Sequence, residues 1–220
     1  MKITSNVLVV ANGIFPDLGE IAEVFEPNCT IICCDGAVKK LTDAGYEPNI
    51  IIGDMDSISE HHKNKYSDII IHIDNQENND LDKALSWLND KNINLATIIA
   101  ADGGRDDHTL GNILLLLERR YSYNIKMKTN SGTFNVINTD LIDKDENSSY
   151  TKSFRSNEGQ SISIFCTNRE VKLSSSGLKY NLKDFQFKTL QSASLNTALS
   201  NSFSISSDQP GTSILIYHEN

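Results

Sequence analysis

The chain has 220 residues, which suits one large domain or two small ones with real cores. Hydrophobic residues make up 39% and charged residues 22%, the balance of a soluble globular protein. The net charge of −9 argues against non-specific binding to nucleic acid or to an anionic membrane, because phosphate attraction needs patches of Lys and Arg. The run Val7–Ala11 is too short for a signal peptide and is broken by Asn12-Gly13. No apolar run has the length of a transmembrane helix. The four cysteines, Cys29, Cys33, Cys34 and Cys166, show no CxxC spacing. They read as small buried hydrophobes in a reducing cytoplasm.

In chain order, the first half alternates strand-like and helix-like segments. Val7–Ala11 is a continuous apolar strand, residues 17–25 read as helix, and Thr30–Cys34 is a second buried strand. Residues 37–44 read as a helix stopped by Gly45 and Pro48. Further strands are expected at 50–52, 69–73, 95–100 and 125–129. Between the fourth and fifth of the series, Leu81, Ala84, Leu85 and Leu88 recur at i, i+3, i+4 and i+7, one face of a helix. Residues 109–120 read as another helix, apolar enough to be buried on most sides. Apolar strands alternating with helices predict an α/β domain with a mostly parallel sheet covered on both faces. From about residue 130 the helical period vanishes and polar and apolar residues alternate, as in Ser161-Ile162-Ser163-Ile164 and Ser202-Phe203-Ser204-Ile205. That pattern predicts a C-terminal antiparallel β-sandwich. The expected domains are 1–130 and 131–220, with a polar, mobile loop at 143–149.

Ligand sites in open parallel sheets form at the carboxyl ends of strands, and every polar cluster of the first half follows a strand. These are Asn12-Gly13, Asp35-Gly36, Gly53-Asp54-Met55-Asp56-Ser57, the stretch Asp74 to Asp80, and Gly103-Gly104-Arg105-Asp106-Asp107-His108. In an extended turn, alternation would point Asp54 and Asp56 the same way, where their repulsion calls for a cation such as Mg²⁺. The alternative is that they are surface or capping residues of a helix beginning near Ser59. Asp80 and Asp82 open a helix, where carboxylates complement the dipole; Asp80 is the better placed of the two to reach the sheet edge. Paired glycines followed by Arg105 suit an anion, through close backbone N–H groups and a guanidinium fork. His61 and His62 read as solvent-exposed.

Taken together, these motifs resemble the thiamine pyrophosphokinase family. The matching pieces are Ile52 to Ile58, Gln76 to Leu85, Gly103 to His108 with Asn112, the late Gly177 to Leu182, and Ser192 to Asn196. Asn79 stands where the family often has Thr, and Ser192 to Asn196 departs from the family's usual Ser-Asn ending. The resemblance implies transfer of the pyrophosphate of Mg-ATP to the hydroxyl of thiamine, giving thiamine diphosphate and AMP. It also implies a cytoplasmic homodimer with active sites shared between subunits. Asp54, Asp56 and Asp80 are then expected to hold Mg²⁺, with Arg105 and the Gly103–Gly104 backbone on phosphates. Asn12, Asp35, Gly36 and His108 are expected at the nucleotide. Asp107 is expected near the thiamine hydroxyl as an orienting group or general base, and Asn112, Tyr180, Ser192 and Asn196 at thiamine. Two other readings compete: a phosphatase with Asp54 as nucleophile, and a nucleotide- or vitamin-binding regulator without turnover.

Overall fold

The computed structural model describes residues 3–17, 24–25 and 29–220. By internal contacts the chain forms two compact units, residues 1–115 with 121–130, and residues 116–120 with 131–220. The helix expected over 17–25 lies mostly outside the described residues.

The first unit is built on six strands: β1 (Asn6–Val10), β2 (Thr30–Cys34), β3 (Ile50–Gly53), β4 (Ile70–His72), β5 (Leu95–Ile99) and β6 (Asn124–Lys128). They lie in the order β6-β5-β1-β2-β3-β4, and every neighbouring pair is parallel. The chain runs outward from β1 to β4 and then returns to the other side of β1 as β5. The order therefore reverses between β1 and β5, the place where open sheets of this kind bind ligands. The helices are α1 (Val38–Asp43), α2 (Glu60–Lys65), α3 (Asp80–Leu88) and α4 (Asp106–Glu118).

Strands β1 to β3 are buried almost throughout, as their Val, Ile and Cys runs require when both faces of a sheet are covered. Leu8, Val10, Cys33, Ile51 and Ile99 pack with Val38 and Leu41 of α1. Leu81, Ala84, Leu85 and Leu88 form the buried face of α3, each leucine stabilising by roughly 1.5–3 kcal/mol. This burial holds α3 in place, and so fixes where its first turn stands at the sheet edge. α4 begins at Asp106, three residues before the expected start, which puts Asp106 and Asp107 in its first turn.

In the second unit, β7 (Gly132–Asn138), β9 (Ser161–Cys166), β11 (Ala193–Thr197) and β13 (Ser213–Glu219) pair antiparallel in the order β11-β9-β13-β7. Strands β8 (Tyr150–Arg155), β10 (Leu173–Ser176) and β12 (Ser202–Ser207) form an antiparallel sheet of three. Alternation sends Ile162, Ile164, Ile214 and Ile216 of one sheet, and Leu173, Phe203 and Ile205 of the other, into one shared core. The unit is thus a β-sandwich. The 143–149 loop is tied down internally: Asp145 accepts from the backbone N–H groups of Asn147 and Ser149, each at 2.9 Å, and from the Thr151 hydroxyl at 2.6 Å. Among the described residues no helix is long and apolar enough to cross a membrane.

Candidate active site

The carboxyl ends of β1, β3 and β5 and the first turns of α3 and α4 meet around one cleft of about 540 Å³. Asn12, Asp54, Asp56, Asp80, Gly103, Gly104, Arg105, His108 and Asn112 all line it. Of the residues expected in this unit, Asp35 and Gly36 lie just behind that surface, and Asp107 is held by Arg105.

The acidic side begins with Asp35, which follows β2 and is only 1% exposed. Among the described residues neither of its carboxylate oxygens meets a donor in full hydrogen-bond geometry, although the Gly36 and Ser57 N–H groups come near enough to hold its pKa down in part. Burial first, and then the charge of Asp80, pushes its pKa from 3.8 up to about 6. One oxygen each from Asp35, Asp54 and Asp56 lie within 4.8 Å of one another. A buried carboxylate left short of donors is costly unless something else compensates it. Three clustered carboxylate oxygens are a donor set suited to a hard divalent cation such as Mg²⁺. The sequence reading put Asp35 at the nucleotide; its position is among the carboxylates.

Asp54 and Asp56 come together by a different route from the extended alternation expected of them. Met55 sits in the left-handed region, at φ 66°, a conformation that costs an ordinary residue about 1–2 kcal/mol. The turn lets the Asp56 N–H reach back to Asp54 Oδ1 at 3.3 Å, and the Ser57 hydroxyl donates to Asp56 Oδ1 at 2.8 Å. Two glycines make room. A Cβ on Gly53 would lie 2.8 Å from the Asp35 carboxyl carbon, and one on Gly36 would collide with the Asn12 side-chain amide.

Two lysines that sequence reasoning passed over complete this side. Lys83 has a side chain 2% exposed, and its ammonium lies 3.0 Å from both Asp54 Oδ2 and Asp80 Oδ1. The Lys83 bond holds Asp54 below the usual carboxylate range. The cue was available: Lys83 is three residues after Asp80, one turn along the same helix face. Lys40 donates to Asn12 O at 2.7 Å, Asn12 Oδ1 at 2.9 Å and Gly13 O at 2.8 Å, and so fixes the turn after β1. Asn12 is thereby engaged on both sides, by Lys40 and against Gly36.

The other side is the loop after β5. Gly103 and Gly104 both have positive φ, 69° and 86°, which leaves the backbone open to close approach. Arg105 grips Asp107 with two bonds, Nε to Oδ1 at 3.1 Å and Nη2 to Oδ2 at 2.6 Å. The Asp107 carboxylate also accepts from the His108 N–H at 3.0 Å. The Arg105 bond holds Asp107 below the usual carboxylate range. Both side chains are largely exposed, so water screens the pair and an incoming phosphate can take the guanidinium.

Tyr180, Ser192 and Asn196 belong to the second unit. The Ser192 side chain closes a capping box with Thr189. Asn196 accepts from the N–H groups of Tyr180 (3.0 Å) and Thr197 (2.9 Å) and donates to Tyr180 O at 2.7 Å. Both side chains are thus engaged within their own unit, whereas Tyr180 is 64% exposed. His61 and His62 lie on α2, where His62 Nδ1 is 2.9 Å from the hydroxyl of the capping Ser59.

Comparison with known proteins agrees with this architecture. Residues 21–129 match a family model described as thiamin pyrophosphokinase, catalytic domain, and residues 147–217 one described as thiamin pyrophosphokinase, substrate-binding domain. A curated thiamine pyrophosphokinase of Bacillus subtilis (strain 168) is 32% identical over 124 residues, 54% of this chain and 58% of that relative's length. Among solved structures, thiamine pyrophosphokinase from Bacillus subtilis superposes with a TM-score of 0.76 at 21% identity, covering 98% of this chain and 99% of its own. The Candida albicans enzyme gives 0.72 at 19% identity, covering 99% and 92%. At these identities the structural likeness establishes the fold.

Proposed function

Because the chain belongs to the thiamin pyrophosphokinase family, we propose that it is an ATP-dependent transferase that moves the terminal pyrophosphate unit of Mg-ATP to the hydroxyl of thiamine. The products are thiamine diphosphate and AMP. One observation carries the reading: a cleft lined by clustered carboxylates and also by a Gly-Gly-Arg loop built for an anion. Transfer of this kind depends on neutralising charge and aligning reactants more than on covalent help from the protein. The thiamine hydroxyl oxygen bonds to the β-phosphorus. The bond from that phosphorus to the oxygen it shares with the α-phosphate breaks, AMP departs with that oxygen, and the hydroxyl proton passes to solvent.

In this reading Asp54, Asp56 and Asp80 hold Mg²⁺, and Asp35 joins them as the buried member of the set. The ion supplies neutralisation of the phosphate charge. Lys83 balances the carboxylates and keeps Asp54 and Asp80 at a fixed separation. Arg105 exchanges its bonds to Asp107 for phosphate oxygens, and the Gly103–Gly104 N–H groups add donors. Asn12, Gly36 and His108 meet the nucleotide, with Lys40 holding the Asn12 turn. Asp107, released by Arg105, orients thiamine, with Asn112, Tyr180, Ser192 and Asn196 as further candidates. The protein works as a cytoplasmic homodimer in which the sandwich of one subunit completes the site of the other. The test is to incubate the protein with ATP, Mg²⁺ and thiamine and to separate AMP from ADP. Thiamine-dependent AMP that disappears on chelation of Mg²⁺ is expected; ADP with thiamine monophosphate would make it an ordinary kinase on this fold.

A further inference from the structure

We infer that Asn79 and Asn112 are positioning residues, a side-chain relay that fixes the acidic side of the cleft against its phosphate side. Asn79 is the N-cap of α3, and its Oδ1 accepts from the Asp82 N–H at 2.9 Å. Its Nδ2 donates to Asn112 Oδ1 at 3.0 Å. Asn112, 9% exposed on α4, passes the chain on by donating from Nδ2 to Ala101 O at 2.8 Å. Each terminus of the relay is backbone. One is the first turn of α3, which carries Asp80 and Lys83. The other is the strand-end segment that leads into Gly103, Gly104 and Arg105.

The polarity of the relay is determined. The cap requires an oxygen from Asn79 toward the Asp82 N–H, which leaves Nδ2 facing Asn112. Asn112 must then present its oxygen to Asn79 and its nitrogen to the Ala101 carbonyl. Flipping either amide sets two acceptors or two donors face to face. Each amide thus spends one N–H and one oxygen lone pair on the relay. Asn112, read above as a candidate for thiamine, also acts through the backbone it holds. A capping residue needs only an oxygen; the second bond, into α4, is what capping does not explain.

The inference rests on the transferase reading for its consequence. Pyrophosphate transfer needs the cation held by the carboxylates and the phosphates held by Arg105 at one separation, and a misplacement of about 1 Å can cost on the order of a hundredfold in rate. Asn79→Ser separates the two roles. Serine caps as well as asparagine, but its hydroxyl is too short to reach Asn112. The expected result is a melting temperature lowered by about 2–4 °C for the donor lost to Asn112, kcat lowered roughly tenfold, and KM for ATP and thiamine within about twofold. The N–H groups of Gly13 and Ile14, which bond Ala100 O and Asp102 O on the held segment, should exchange with solvent faster than in the unaltered protein. Asn112→Leu, which keeps the volume, should lower kcat similarly. The double variant should be no worse than the more severe single, because both changes cut one relay. Unchanged kcat together with unchanged exchange in Asn79→Ser would overturn the inference. If the unaltered protein makes no thiamine diphosphate, the transferase reading falls and exchange alone decides. Faster exchange at Gly13 and Ile14 then supports the relay, and unchanged exchange refutes it.

Discussion

Replacing Lys83 with Met removes the cation that stands between Asp54 and Asp80 while keeping most of the side chain's length and apolar stem. The ammonium makes two contacts of 3.0 Å; its own side chain is 2% exposed, and those of Asp54 and Asp80 are 14% and 26% exposed. Breaking a fully buried pair costs about 3–5 kcal/mol, whereas an exposed pair is worth about 0–1 kcal/mol. One fully buried end and two partly exposed ends place the loss between these limits, at about 2 kcal/mol. For a chain of this size that is a fall of roughly 4–8 °C in melting temperature, measured by calorimetry without divalent ions. The remaining carboxylates then repel one another with less compensation, so added Mg²⁺ should raise the melting temperature of Lys83→Met more than that of the unaltered protein. A variant that melts within about 1 °C of the unaltered protein in the absence of Mg²⁺ would refute the assignment of Lys83 as the counter-charge.

Three other predictions follow from the same site. Asp35 titrates near 6 in the folded chain against 3.8 ordinarily, so the native state binds the extra proton and stability falls as pH rises from about 4 through about 6. Without divalent ions, Asp35→Asn should therefore lose less melting temperature than the unaltered protein between pH 4.5 and pH 8, and parallel pH curves would count against it. Asp56→Asn should lower kcat by at least about a hundredfold while melting within about 1 °C of the unaltered protein, since Asp56 is exposed and its carboxylate accepts from the Ser57 hydroxyl, a bond that an asparagine oxygen can keep. Retained turnover would remove Asp56 from the metal set. Arg105→Lys keeps the charge but loses the fork, and should raise KM for ATP about tenfold; an unchanged KM would place the phosphates elsewhere.

The order of the elements and the place of the cleft were legible because periodicity is a property of the residues themselves. Leu81, Ala84, Leu85 and Leu88 define a helix face, and Ser202 to Ile205 a half-buried strand, whatever else the chain does. The polar clusters could be put at one edge because each followed a strand. What could not be read were contacts set by the path of the backbone. Asp54 and Asp56 were recognised as a pair, but an L-residue gives no sign that it will adopt positive φ, so the turn at Met55 was missed. Asp35 was recognised as a site residue, yet its distance from Asp54 and Asp56 depends on the closeness of β2 to β3 and on the absence of a Cβ at Gly53. Lys83 and Lys40 looked like ordinary helix lysines until the burial of one and the triple engagement of the other were seen. The contrast between Tyr180, exposed, and Asn196, bonded on both sides, depends on a loop whose course no local pattern specifies.

The most direct test of the proposed transfer is the fate of the β-phosphorus. With ATP labelled at that atom, Mg²⁺ and thiamine, the account requires the label to appear in thiamine diphosphate in step with unlabelled AMP. Label that stays in ADP, or that is found in nucleotide whatever the thiamine concentration, would contradict it and leave only the fold and the cleft in place.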